Sequence, residues 1–155
     1  MKRVAGTLRL DLASYREKQA FSQFGSDLDA TTQYQLNHGA HMTELLKQGR
    51  YSALDVACQA AVIYAGQEDF LDDIDLDHVV LFRNEFSEYL LESHRHLCEE
   101  LRTQNISSSM ENELREAITT FKERFLERHP NKVDIDVEVA AEDTRPDLIG
   151  ADREA

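Results

Sequence analysis

At 155 residues the chain has the length of one domain, and a chain of that length buries roughly two thirds of its unfolded surface. Hydrophobic residues make up 41% and charged residues 30%, a mixture that supports a packed core in water. The net charge of −13, from 30 acidic against 17 basic residues, excludes the clustered Lys and Arg of a nucleic-acid surface and any direct attraction to an anionic bilayer.

Proline stands only at Pro130 and Pro146, so everything before residue 130 is free to be helical. Leu8, Leu12 and Tyr15 share one face, and Ala13, Ala20, Phe21 and Phe24 extend an apolar stripe. This predicts a first helix from about Gly6 to Phe24, with Gly25 at its left-handed stop. Ser26 or Asp27 then caps a second helix, Leu28 to about Gln48, whose apolar positions Leu28, Thr32, Leu36, Gly39, Met42, Leu45 and Leu46 recur in steps of three or four. The stripe keeps its phase through Gly39, which is read as a close-packing position, with a C-cap there as the competing reading. His38 and His41 are three apart, but His41 flanks this stripe, and a surface position is expected.

Gly49 ends the second helix. Ser52 with Asp55 resembles a capping box ahead of a third helix, Ala53–Ala65, closed by Gly66. Its many small residues imply close helix–helix approach. An acidic connection follows, with Asp69, Asp72, Asp73, Asp75 and Asp77 crowded together. A calcium loop would also need a central Gly and a terminal Glu, so a solvated turn plus a cap at Asp75 is expected. Val79, Phe82, Phe86, Tyr89 and Leu90 predict a fourth helix, interrupted at Ser93–His94 before Leu97–Arg102. Ser107–Ser109 reads as linker and cap for a last helix lined by Leu114, Ala117, Ile118, Phe121 and Phe125, which stops by His129–Pro130.

The tail from Asn131 alternates valine and isoleucine with acids over Val133–Val139 and then loses any pattern. It is expected to be a largely disordered acidic extension, with edge pairing to another copy as the alternative. The fold class expected is therefore all-α: a bundle of about five to seven helices over residues 1–130, followed by an acidic tail over 131–155.

Motifs for chemistry are sparse. There is no G-x-x-x-x-G-K-[ST] loop, no G-x-S-x-G elbow, and no H-E-x-x-H or E-x-x-H pair. His94 and Cys98, four apart, form at most half a zinc site, and no further ligands of matching spacing are evident. Cys58 and Cys98 lie far apart without CxxC spacing and are expected to be reduced, partly buried thiols. The N-terminus has no apolar run for a signal peptide, because Arg9 and Asp11 interrupt it, and no segment approaches a membrane span. No catalytic residue and no metal ligand set is expected.

Three blocks go further: YREKQAFSQFGSDLD at Tyr15–Asp29, TELLKQGRYS at Thr43–Ser52, and AVIYAG at Ala61–Gly66. In this order and spacing they make the chain resemble the C-terminal helical domain of the alpha subunit of the rotary F-type ATP synthase, from about Met1 to Arg128. The resemblance implies an all-α bundle that packs beside beta subunits and contacts the rotating gamma shaft. It implies that the tip Phe24, Ser26, Asp27, Leu28 and Asp29 is a partner contact, braced by Phe21 and Phe24. It implies that Gln48 and Arg50 lie near the adenine of ATP or ADP, bound with Mg in the full subunit. The family's common mitochondrial pattern there is Gln-Gly-Gln, so Gln48 agrees and Arg50 departs.

The family's phosphate-binding loop and arginine finger lie upstream of the matched segment. The resemblance is to part of an H+-transporting two-sector ATPase, and the chain alone is expected to hold no cofactor and make or hydrolyse no ATP. Val4, Leu8 and Leu10 are expected to face the preceding domain. Membrane association comes only through the assembled complex, on the cytoplasmic side of the inner membrane in bacteria, or in the matrix or stroma if eukaryotic. The alternative is a free-standing acidic helical module that holds a basic partner with the same hairpin.

Overall fold

The computed structural model describes residues 2–23, 28–47 and 53–132, with side chains from Gly6 onward. These residues form helices α1 (Lys2–Ser22), α2 (Ala30–Leu46), α3 (Val56–Gln67), α4 (Val79–Ser93), α5 (Arg95–Thr103) and α6 (Ser108–Arg128), with a 3-10 turn at Leu76–His78. There is no strand among the described residues. The all-α bundle read from the sequence is the fold. The alternating segment 133–139 and the rest of the tail lie outside the described residues.

Helix α3 is the axis of the bundle and packs against each of the other α-helices. Its composition explains this. Ala57, Cys58, Ala60, Ala61, Val62, Tyr64, Ala65 and Gly66 are all buried, so the helix is apolar around most of its circumference and slim enough to be surrounded. Gly66 does not close the helix as expected. It lies inside α3, where a Cβ would strike the Met42 sulfur and come within 3.0 Å of Leu45 Cδ2. It is a close-approach position to α2 rather than a stop.

Ser52, expected to open a capping box, lies outside the described residues; the N-cap of α3 is Asp55, whose carboxylate accepts from Ala57 N at 2.9 Å. Arg102 of α5 reaches the same carboxylate, with Nε 3.2 Å from Oδ1 and Nη2 3.1 Å from Oδ2. That hydrogen bond, first, and the cap hold the Asp55 carboxyl below the usual carboxylate range. A depressed folded value stabilises above the unfolded carboxylate value of about 3.9 and is lost as pH falls through the folded one. Asp55→Ala is expected to cost about 1 kcal/mol near neutral pH. Asp55→Asn keeps the cap and removes the pH-dependent part. Urea midpoints of the three proteins across pH 2 to 7 check this: wild type and Asp55→Asn converge at the acid end if the sign is right.

The second half of the core is aromatic. Phe82 and Phe86 of α4 meet Phe121 and Phe125 of α6, with centroids 5.2 to 5.6 Å apart between Phe82 and each of the other three. The Phe82 contacts to Phe121 and Phe125 are edge-on, the geometry that ring quadrupoles favour. The break before α5 falls at His94, with φ −127, as the Ser93–His94 interruption predicts. Ser107 caps α6 through its hydroxyl, which accepts from Met110 N, and the helix ends at His129 before Pro130.

Helices α1 and α2 form an antiparallel pair: Tyr15 lies on Gly39, and Lys18 hydrogen-bonds to Gln35. Asp29, rather than Ser26 or Asp27, is the N-cap residue of α2, and Thr32 Oγ1 donates to Asp29 Oδ1 at 2.5 Å. The expected α1 stripe is split: Leu8 and Leu12 pack against the core, whereas Phe21 is 70% exposed. Leu10, expected with Val4 and Leu8 to face a preceding domain, is 71% exposed.

Candidate functional site

Of the expected partner contacts, Leu28 and Asp29 are described and both are exposed at the entry to α2. Phe24, Ser26 and Asp27 lie outside the described residues. Phe21, expected to brace this tip, points away from the bundle. The Asp29 carboxyl is held below its ordinary range, chiefly by the Thr32 hydroxyl. It is an exposed, ionised group at one end of the α1–α2 pair.

The opposite end of α2 leads to Gln48 and Arg50, which also lie outside the described residues. The structure fixes what precedes them. Arg83, buried to 2% exposure, extends from α4 to the end of α2, where its Nη1 donates to Leu45 O at 3.3 Å and to Lys47 O. Its Nε and Nη2 share Asn84 Oδ1 at 3.1 and 2.9 Å. The last carbonyls of a helix have no partner within it, and a guanidinium suits both their partial charge and their hydrogen-bonding need. Burial pushes the Arg83 pKa down, but arginine stays charged. Arg83→Met is expected to cost about 1.5–3 kcal/mol, because it strands two acceptors of a charged donor. Hydrogen exchange should locate the loss at the α2 C-terminus; uniform loss over the chain would contradict the capping role.

Sequence reading missed the role of His41. It is buried, not superficial: Nδ1 lies 2.8 Å from Asn37 O and Nε2 2.7 Å from Ile74 O. One imidazole thus ties α2 to the acidic connection. His38, one turn earlier, does the same from its half-buried position. Its Nδ1 is 3.2 Å from Asp69 Oδ1 and 3.1 Å from Asp72 Oδ1, and Tyr34 stacks on its ring. Desolvation of the Tyr34 hydroxyl, then the adjacent Asp69 and Asp72 carboxylates, push that hydroxyl well above its usual range. His38, Asp69 and Asp72 bring three metal-ligand atoms within 4.8 Å of one another, and the imidazole Nδ1 lies within hydrogen-bond distance of one oxygen of each carboxylate.

The acidic connection is more organised than a solvated turn. Asp69 adopts φ 60, a left-handed conformation that Asp tolerates better than most residues. Lys122 pairs with Asp73 and Lys132 with Asp77. Asn131 receives the Asp75 amide at 3.1 Å and donates to Asp73 O, while Lys132 N donates to Asp75 Oδ2. Asn131 and Lys132 are thus tied to the acidic connection.

The His94 ring lies against Tyr89, while the Cys98 thiol is buried and directed at Leu90 O. Open grooves line the α1–α2 surface, one of them bordered by Leu12, Tyr15, Arg16, Gln19, Thr43, Leu46 and Lys47.

Residues 1–121 match the family described as ATP synthase alpha/beta chain, C terminal domain. The chain is 45% identical over 126 residues to the ATP synthase subunit alpha of Petrotoga mobilis, covering 81% of this chain and 25% of that protein. It is 49% identical over 122 residues to the ATP synthase subunit alpha of Streptococcus equi subsp. zooepidemicus, covering 79% of this chain and 24% of that one. The chain thus spans about a quarter of the length of these relatives. No described helix is long and apolar enough to cross a membrane. A family match over residues 1–121, joined to 45% and 49% identity with two alpha subunits over about four fifths of the chain, places this chain in the ATP synthase alpha/beta C-terminal domain family, in its alpha-subunit branch.

Proposed function

We propose that this chain serves as a non-catalytic, force-bearing domain of a rotary ATP synthase, beside beta subunits and against the gamma shaft. The observation that carries this reading is the family match over residues 1–121, joined to an antiparallel α1–α2 pair with Leu28 and Asp29 exposed at one end. The tip Phe24–Asp29 faces the shaft, and the ionised Asp29 meets a basic surface there. Displacement of that end passes along α2, because a close-packed interior moves as a body rather than deforming locally. Gly66 and Arg83 lock α2 to α3 and α4, so the motion reaches the segment holding Gln48 and Arg50. In the full subunit this segment borders the adenine of ATP or ADP with Mg. The domain acts on the cytoplasmic side of the inner membrane in bacteria, or in the matrix or stroma in a eukaryote, and reaches the membrane only through the complex.

Two measurements on the purified chain test this. Copurification with beta and gamma subunits is expected when the upstream part of an alpha subunit is supplied. An ATP hydrolysis rate proportional to chain concentration, or micromolar ATP affinity by calorimetry, would contradict the non-catalytic role. Firm binding to a basic protein unrelated to the synthase, with none to beta or gamma, would favour the free-standing interaction module.

A further inference from the structure

Two buried thiols take no part in the proposed function, and they converge on one turn of α4. Cys58 approaches from α3, its sulfur 3.7 Å from Ser87 O. Cys98 approaches from α5, its sulfur 3.6 Å from Leu90 O. Residues 87 and 90 are three apart on a helix, so their carbonyls lie on one face, one above the other. Helices α3 and α5 pack directly together, and the alanines at 57, 60 and 61 leave α3 slim beside them. Each thiol also acts on the other: Cys98 is among the groups that raise Cys58, and Cys58 is among those that lower Cys98.

From this convergence we infer that Cys58 and Cys98 form an oxidisable pair, closing to an intramolecular disulfide that staples α3 to α5. The nearest approach for an oxidant is on the α5 side. A surface groove of about 280 Å³ is lined by Leu91, Arg95, Cys98, Glu99 and Arg102, but Cys98 itself is only 1% exposed, so its sulfur is reached when α5 opens locally. Arg102 favours the thiolate at both positions, whereas burial, the larger influence, pushes Cys58 up to about 11 and also raises Cys98. The pair is therefore slow to react and needs sustained oxidant rather than a trace.

With hydrogen peroxide as oxidant, the Cys98 thiol gives up its proton, which joins the departing hydroxide, and the thiolate attacks the O–O bond. The S–O bond forms, the O–O bond breaks, and one molecule of water leaves, giving the sulfenic acid. The Cys58 sulfur then attacks the Cys98 sulfur. The S–O bond breaks and the hydroxyl leaves as a second water with the Cys58 proton. Two thiols lose two electrons in total, and one hydrogen peroxide takes them up as two waters.

The test treats the folded 155-residue chain with hydrogen peroxide and maps it by non-reducing peptide mass spectrometry. The expected product is a monomer lighter by two hydrogens, with a single Cys58–Cys98 cross-linked peptide, no titratable thiol in denaturant, and full reversal by dithiothreitol. Cys58→Ala should instead accumulate a dimedone-trappable sulfenic acid at Cys98, while Cys98→Ala should leave Cys58 largely unreacted at the same dose. Wild-type mapping alone decides the matter if either variant fails to fold. Both thiols still free after prolonged native-state oxidation, or disulfides found only between chains, would overturn the proposal.

Discussion

Phe82→Ala should lower the unfolding free energy by about 3–5 kcal/mol, the usual cost of removing a fully buried phenylalanine. A domain of this size is typically stable by only about 5–15 kcal/mol, so the variant should sit close to its folding threshold. The site leaves little room for relaxation. Phe82 is 1% exposed and its ring contacts three others, Phe86, Phe121 and Phe125, from two helices. Part of the loss is the edge-on geometry of two of those contacts, worth about 0.5–1.5 kcal/mol per pair beyond area burial. Phe82→Leu, which restores most of the volume, should recover more than half of the loss. Urea titration of the three proteins checks both values. A Phe82→Ala cost under about 1 kcal/mol would mean that α4 and α6 are not packed through these rings.

Gly39→Ala carries the second large effect, and here two influences oppose. Alanine in a helix interior is favoured over glycine by about 1 kcal/mol. At residue 39, however, a Cβ would lie 2.6 Å from Tyr15 Cβ and closer still to the Tyr15 ring. A Cβ is rigidly tied to its backbone, so rotation of Tyr15 cannot relieve the overlap and α1 itself must move away. Overpacking of this kind costs about 1–3 kcal/mol and outweighs the propensity gain. The net result should be destabilisation, with faster hydrogen exchange confined to α1 and its contact face on α2. Tyr15→Gly in the same chain removes the obstructing atoms, so the double variant should be more stable than the sum of the single costs implies. Additive single costs would show that Tyr15 and Gly39 do not touch.

The fold was largely legible because most helices advertise their ends locally. Ser107 ahead of α6, Pro130 beyond it, and the His94 break between α4 and α5 are all short-range signals. The misreadings share a different cause, since each depends on a partner distant in sequence. Gly66 reads as a stop by residue type, yet its neighbour is Met42 on another helix. His41 reads as polar surface, yet Ile74 O supplies an acceptor that neutralises the cost of burying it. Asn131 and Lys132 follow Pro130 with no helical signal, yet the backbone of the acidic connection bonds Asn131 and the carboxylate of Asp75 accepts from Lys132 N. Phe21 is a separate case: helical spacing puts it near the stripe, yet it is 70% exposed.

The candidate site was legible in a different way. Nothing in periodicity or charge assigns a partner to Leu28 and Asp29; that assignment came from the motif blocks and rests on the family. Arg83 was missed entirely, because a lone arginine on an apolar helix gives no hint that the end of α2 needs its guanidinium. Asp55 was noted only as the second member of a capping box, and its pairing with Arg102 across α5 has no sequence signature.

The most direct test grafts residues 1–121 of this chain onto the preceding part of the Petrotoga mobilis alpha subunit, in place of the matching segment. ATP hydrolysis by the reconstituted synthase is then measured. The expected result is an assembled complex that turns over ATP within about tenfold of the parent, a barrier change of about 1.4 kcal/mol. A graft that folds with full helical signal, yet neither assembles nor supports turnover, would contradict a role for this domain in the rotary machine.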